Sequence, residues 1–400
     1  MTRLYIANKL ILINNGKNNM NSLKLPNNPK FSSGPCVKIP NWEASFLNDA
    51  LLGRSHRANI SVKRIQKLID KTKSILNIPE NYHVAITGGS DTGAFEMAMW
   101  SLLGKTGVDI LAWDSFGRDW VTDVIEQLQI KNTKLIDADY GYLPNLEKVN
   151  FKNDVIFTWN GTTAGVKIPN GNWIDDTRSG LTLCDATSAV LAMNIPWNKL
   201  DVTTFSWQKV LGGEAQHGIL VLSPRAVERL ESYKPTWPIP KLFRLTNKGK
   251  FQSKVFKGST INTPSMLCIE DAIHALEWVD SIGGLTSMIE RSQSNLEVIE
   301  KWESKTDWVE FLATIKEVRS STSICLKIID PWFLKLDSDS KKKTLNEFFS
   351  LLEEKGAAYD INHYPSAPEG IRIWGGGTVE KTNIELLLPW LDWAWKYIAK

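Results

Sequence analysis

Between about residues 60 and 223 the chain alternates helix-forming stretches with short apolar runs, and no other feature restricts its fold as much. Residues 61–76, 92–103 and 118–129 place apolar side chains at helical spacing. Residues 83–87, 109–113, 134–137, 154–159, 181–185, 202–207 and 218–222 are short, rich in β-branched and apolar residues, and bounded by turn formers. Such alternation predicts an α/β domain around a mostly parallel sheet. Ligands of such sheets bind in the crevice at the carboxyl ends of the strands.

Beyond residue 223 the pattern changes. A proline-rich stretch, Lys234-Pro-Thr-Trp-Pro-Ile-Pro-Lys241, and a polar run to Gly258 read as loop. Amphipathic helices follow at 265–279 and 285–302, then strands at 323–329 and 370–374 mixed with helices at 341–355 and 381–399. The expected organisation is a large domain over 26–270 and a smaller α+β domain over 271–400, with residues 30–40 crossing between them. Residues 1–25 read as a disordered extension, or as sequence upstream of a start at Met20, because a short apolar run at 10–13 gives way to Asn14-Asn15-Gly16-Lys17-Asn18-Asn19.

Composition narrows the function. The net charge of +3 is small and the lysines are scattered, which argues against a nucleic-acid partner. No apolar run approaches the roughly 18 residues of a membrane span. Cys36, Cys184, Cys268 and Cys325 form neither CxxC pairs nor a metal pattern with the histidines, so reduced thiols, a cytoplasmic setting and no metal are expected. The 17 tryptophans, among them Trp390, Trp393 and Trp395, read as core packing or a subunit contact. Small-molecule chemistry remains.

That chemistry points first to Lys209, which an apolar strand delivers into the turn at Gly212-Gly213. Desolvation there lowers an amine's pKa and makes it a nucleophile. A second buried-strand pattern, Leu181-Thr-Leu-Cys-Asp185, ends in a lone carboxylate. An amine that binds the cofactor and a carboxylate that keeps a pyridine nitrogen protonated are what pyridoxal phosphate requires. The loop Thr87-Gly-Gly-Ser-Asp-Thr-Gly93 joins a strand to a helix N-terminus, with hydroxyls at Ser90 and Thr92, and reads as a phosphate cradle. A simple helix cap by Ser90 or Asp91 is the alternative. Thr162, in Asn160-Gly-Thr-Thr-Ala-Gly165, is placed to bond a ring hydroxyl, and Phe116, in Asp114-Ser-Phe-Gly117, to stack on a flat ring. Arginines in Gly53-Arg-Ser-His-Arg57 and Gly370-Ile-Arg-Ile-Trp374 are candidate clamps for carboxylate or phosphate.

In order along the chain, Phe31-Ser-Ser-Gly-Pro-Cys36, Ser55-His-Arg57, Gly89-Ser-Asp-Thr-Gly93, Asn160-Gly-Thr162, Asp185-Ala-Thr187, Trp207-Gln-Lys209, Thr260-Ile-Asn-Thr-Pro264 and Gly370-Ile-Arg-Ile-Trp374 resemble the phosphoserine aminotransferases, in their longer bacterial and archaeal form. The likeness runs from about Lys30 to the C-terminus. It implies the aspartate-aminotransferase type of fold (fold type I), with a seven-stranded-type large sheet, and a homodimer with active sites at the subunit interface. It implies Lys209 as the cofactor-binding lysine, Asp185 as partner of the ring nitrogen and Thr162 near the ring hydroxyl. Ser90, Asp91, Thr92 and Gln208 would line the cofactor phosphate site, with Asn262 and Thr263 reaching it from the neighbouring subunit. Arg372 would hold the substrate α-carboxylate, and His56 and Arg57 the substrate phosphate.

The implied reaction is amino transfer between L-glutamate and 3-phosphohydroxypyruvate, with the related step of pyridoxine synthesis as a further expectation. Two departures stand out. The segment before Gly370 lacks a basic residue often present in relatives, leaving His363 as the substitute, and Phe116 stands where some relatives have tryptophan. Rival readings are an aminotransferase acting on serine, alanine or glyoxylate, a cysteine desulfurase, and a binding protein without turnover. Desulfuration needs a reactive cysteine on a mobile loop, whereas Cys325 lies in a strand-like run.

Overall fold

The structure is a computed structural model and describes residues 23–399. Most of the expected extension, Met20 included, lies outside the described residues. Its last three residues, 23–25, are anchored instead: Leu23 packs against the core, and the Trp390 indole donates to the Lys24 carbonyl at 3.0 Å.

Seven strands form the large sheet: β1 (His83–Gly88), β2 (Val108–Ala112), β3 (Thr133–Asp137), β4 (Asp154–Thr158), β5 (Thr182–Asp185), β6 (Val202–Ser206) and β7 (His217–Leu222). Their spatial order is β1-β7-β6-β5-β4-β2-β3. From β6 to β3 every pairing is parallel, and only β7 runs against its neighbours β1 and β6. The central strands are apolar throughout because both faces are covered. Alternation decides which core each side chain enters. Ile156, Leu183, Val202 and Leu220 face one cluster, with Phe95 and Trp120, whereas Phe157, Cys184, Phe205 and Val221 face the other, with Ile65 and Leu68.

Helices α1 (Asn59–Ile75) and α2 (Ser90–Leu102) supply those two covers. Helix α3 (Ser115–Thr122) is shorter than the helix expected over 118–129. Past Thr122 the chain widens into a π turn, Asp123–Gln127, in which the Leu128 amide reaches back five residues to the Asp123 carbonyl. Helix α4 (Pro224–Ser232) follows β7.

The C-terminal part holds α5 (Met266–Ser281), α6 (Gly284–Glu303), α7 (Ser338–Glu354) and α8 (Lys381–Ile398) with an antiparallel sheet, β8 (Val309–Phe311), β9 (Ser323–Ile328) and β10 (Gly370–Trp374). Strand β8, only three residues long, is too short to show a period in the sequence. The boundary expected at 270–271 falls inside α5, where Glu270 is buried and pairs with Arg64 of α1. Residues 30–40 bond to both sheets' surroundings. Phe31 exchanges hydrogen bonds with Tyr359 and Trp374, and the Cys36 amide donates to the Gln208 carbonyl at 2.8 Å. No helix among the described residues is long and apolar enough to cross a membrane.

One buried ion pair ties α4 to the sheet. Arg229 meets both oxygens of Asp154, at 2.9 and 3.1 Å, and donates to the Leu102 carbonyl, while the Leu181 amide donates to Asp154 at 2.8 Å. Replacing Arg229 with alanine strands Asp154 without its cation and is expected to cost about 3–5 kcal/mol. Urea denaturation of the variant beside the parent protein measures it, and a loss below 1 kcal/mol, the level of an exposed pair, would contradict the assignment.

Candidate active site

Parallel order puts the ends of β4, β5 and β6 at one edge of the sheet. Asp185, the last residue of β5, is level with Thr158 of β4 and Thr204 of β6. It is buried, and its two oxygens accept from the Thr187 amide at 3.0 Å and the Trp120 indole at 3.3 Å. Lys209 follows β6 after three residues, in a turn closed by hydrogen bonds from Gly212 to Lys209 and from Gly213 to Trp207. Gly212 has φ +66°, and a Cβ there would lie 2.3 Å from the Val37 carbonyl oxygen, so the turn requires glycine.

The Lys209 Nζ donates to the Ser33 carbonyl at 2.5 Å. A Cβ on Gly34 would come within 2.6 Å of that nitrogen. Burial pushes the Lys209 ammonium below its ordinary pKa; nearby Arg372 pushes the same way, while Cys36, Asp185 and Asp91 act against it. Lys209 and Asp185 line one cavity of about 310 Å3, together with Ser90, Thr92, Phe116 and Thr162. Asp91 and Gln208 line it too.

The expected phosphate cradle is built from Gly89 and Ser90, both with positive φ, at the start of α2. The Gln208 amide donates to the Ser90 hydroxyl at 2.6 Å. Close approach holds the loop in place, since a Cβ on Gly93 would lie 2.2 Å from the Gly88 carbonyl oxygen and one on Gly218 2.1 Å from that of Ser90. Thr162 donates to Ser188 at 2.9 Å, and Phe116 stands 6.0 Å from the Lys209 Nζ. Asp91 is buried in the first turn of α2, and its electrostatic neighbours are Asp185, Thr187 and Thr204. Burial, then the charge of Asp185, holds its carboxyl well above the usual range.

Arg372, on β10, has a half-buried guanidinium with no carboxylate partner among the described residues. Its Nε finds no hydrogen-bond acceptor, and its cation lies 5.8 Å from the Tyr364 ring. Other expected residues are not brought to this cavity within one chain. Asn262 and Thr263 line a neighbouring cavity of about 500 Å3, which shares Thr92 with the first. His56 and Arg57 sit in the loop before α1, Arg57 exposed, and line neither cavity. His363 is half-buried, its pKa lowered by burial, with Nδ1 unpartnered. Cys325 is buried in β9 with its thiol pushed up to about 12 by burial, which suits packing and not nucleophilic chemistry.

Sequence reasoning missed Trp120 and Tyr364. Trp120 follows Phe116 by four residues, so one face of α3 carries both rings to the cavity, a spacing that was available to read. Tyr364 packs against Phe116 at 5.7 Å and has no local signal.

These groups suit pyridoxal phosphate. A buried, hydrogen-bonded carboxylate and a desolvated amine line the same cavity, a helix N-terminus offers hydroxyls, and Gln208 Oε1, Thr158 Oγ1 and Ser206 Oγ line the space without hydrogen-bond partners.

Comparison with known proteins agrees. No family model matches the chain. A phosphoserine aminotransferase from Methanosarcina mazei is 53% identical over 379 residues, covering 95% of this chain and 100% of the relative. Among solved structures, a phosphoserine aminotransferase from Cytophaga hutchinsonii superposes with a TM-score of 0.77 at 20% identity, over 92% of this chain and 99% of its own. An alanine–glyoxylate aminotransferase from Nostoc sp. reaches 0.75 at 17% identity, over 93% and 96%. Those structures share the pyridoxal-phosphate-dependent aminotransferase fold with this chain. Identity of 53% along nearly the whole of both sequences goes further, and the chain belongs to the phosphoserine aminotransferase family.

Proposed function

We propose that the protein transfers an amino group between L-glutamate and 3-phosphohydroxypyruvate, giving 3-phospho-L-serine and 2-oxoglutarate, with pyridoxal phosphate bound at Lys209. The observation that carries this reading is the desolvated Lys209 amine and the buried Asp185 carboxylate in the wall of one cavity. The cofactor, when bound, supplies an electron-accepting ring.

The chain's own groups do the rest. Asp185 holds the ring nitrogen charged, and Trp120 and the Thr187 amide hold Asp185 in direction. Lys209, whose hold on a proton is weakened by burial, removes the proton from the substrate Cα. Ser90, Thr92 and Gln208 bind the cofactor phosphate, Thr162 its ring hydroxyl, and Phe116 covers its face. Arg372, free of an internal acid, binds the substrate α-carboxylate.

A second copy of the chain completes the site in this reading. His56 and Arg57 then supply the substrate-phosphate contacts, and Asn262 and Thr263 reach the partner's cofactor phosphate. We read residues 26–270 as the cofactor-binding domain and 271–400 as the smaller one, with α5 as their joint. A cytoplasmic setting suits the four free cysteines, and service to pyridoxine synthesis belongs to the same proposal. The similar superposition of the alanine–glyoxylate enzyme keeps a non-phosphorylated substrate as the second reading.

Half-reactions separate the two. Adding phosphoserine to cofactor-loaded protein is expected to convert its visible absorption, and conversion by alanine with none by phosphoserine would overturn the substrate. Lys209→Ala should lose both that absorption and turnover while keeping its circular dichroism. Arg372→Ala should lower kcat/KM by about 10- to 100-fold, the scale of hydrogen bonds to a charged group. Mixing inactive Lys209→Ala and Arg57→Ala chains should restore activity if sites are shared between copies.

Capture of pyridoxal phosphate by the apoprotein needs the neutral amine, so its rate should rise with pH through a midpoint below the ordinary lysine range. Because Arg372 lowers the Lys209 pKa and Asp185 raises it, Arg372→Leu should move that midpoint up and Asp185→Asn should move it down. Stopped-flow absorbance measures it.

A further inference from the structure

Asp91 is the residue whose surroundings least suit the role its position in the cradle suggests. A carboxylate beside a phosphate repels it, and the Asp91 side chain is instead buried toward the sheet, against Asp185 on β5 and Thr204 on β6. Its Oδ1 is sealed from water and meets no hydrogen-bond donor. Asp185, in contrast, accepts from Trp120 and from the Thr187 amide. Two carboxyl groups this close and this deeply buried do not both ionise. Of the two, Asp185 has fixed N–H donors, which favour the charged form, whereas Asp91 has beside it only the hydroxyls of Thr187 and Thr204, which can accept a hydrogen bond as well as donate one. The third acid near them, Asp114, is occupied elsewhere, accepting from the Gly117 amide at 2.9 Å and the Thr163 amide at 3.2 Å.

We propose that Asp91 is a positioning residue for Asp185: it carries a proton that it shares with Asp185, so that the pair presents one negative charge, fixed in direction, to the ring nitrogen of the cofactor. The inference rests on the reading of Asp185 given above. It moves Asp91 from the phosphate site to the opposite end of the cofactor. Thr187 and Thr204, whose hydroxyls are sealed from water beside Asp91, close the space around the pair.

The test compares pyridoxal phosphate with its 1-deaza analogue, which keeps the phosphate and aldehyde but has carbon in place of the ring nitrogen. Affinity is measured by fluorescence titration of the apoprotein, with circular dichroism confirming the fold. The parent protein should bind pyridoxal phosphate at least tenfold more tightly than the analogue; equal affinities would overturn the reading of Asp185 itself. Given that difference, Asp91→Ala should weaken pyridoxal phosphate by about tenfold or more and leave the analogue unchanged. Asp91→Asn, whose amide donates to Asp185 without a titrating proton, should restore parent affinity to within about threefold. Equal weakening of both ligands by Asp91→Ala would place Asp91 at the phosphate and overturn the inference, as would no weakening of either. If Asp91→Ala does not fold, Asp91→Asn and Asp91→Ser decide: the inference fails if the asparagine variant loses affinity for both ligands, or if the serine variant binds the analogue less well than the parent does.

Discussion

The buried acid at the end of β5 is the constraint on which the rest of the site depends. An isolated buried carboxylate costs so much that it would take up a proton. Asp185 is not isolated, because α3 turns the Trp120 indole toward it and the chain beyond β5 turns the Thr187 amide back. Both donors are consequences of the sheet. Parallel order brings the ends of β4, β5 and β6 to one edge, and antiparallel β7 brings its first residue, His217, to the same edge opposite Gly88. The Gln216 carbonyl just before β7 then accepts from the amides of Gly89 and Ser90, which fixes the turn at the start of α2.

Much of this was legible before any coordinates. The inner strands announce themselves because a sheet covered on both faces needs largely apolar runs, whereas edge strand β3, mostly exposed, is marked by little more than Leu135 and Ile136. Lys209 and Asp185 stood out for the same reason, as charges at the ends of runs that otherwise exclude them. Residues whose roles depend on contacts between distant segments were not legible. Asp91 reads as part of a phosphate loop because the loop is local, whereas its contacts with Asp185 and Thr204, far along the chain, leave no local signal. Tyr364 is placed by Phe116, and Trp390 anchors Lys24 across almost the whole sequence. His56, Arg57, Asn262 and Thr263 are a different case, since a single chain does not carry them to the cavity that holds Lys209.

The tryptophans follow the same division. Trp308 stacks on Trp395 at 4.8 Å, and the indoles of Trp302 and Trp308 each donate to one oxygen of Asp392, so these rings are explained by packing between α6, β8 and α8. Trp120 is the exception that serves the cavity. Composition alone could not separate it from the others; its spacing from Phe116 could.

Lys209 and Arg372 raise an electrostatic question that burial alone does not answer. Two cationic groups close enough to influence one another, with no salt-bridge acid for either among the described residues, would destabilise the folded chain if both were fully charged. Arg372 keeps its charge under all ordinary conditions, so relief has to come from Lys209, which sheds its proton more readily under that influence. The same arginine that is proposed to bind a substrate carboxylate therefore weakens the lysine's hold on its proton. In the proposed reaction, a substrate carboxylate bound at Arg372 would offset that influence and raise the lysine's affinity for a proton. On that proposal, substrate recognition and base strength would be coupled through a single pair of side chains.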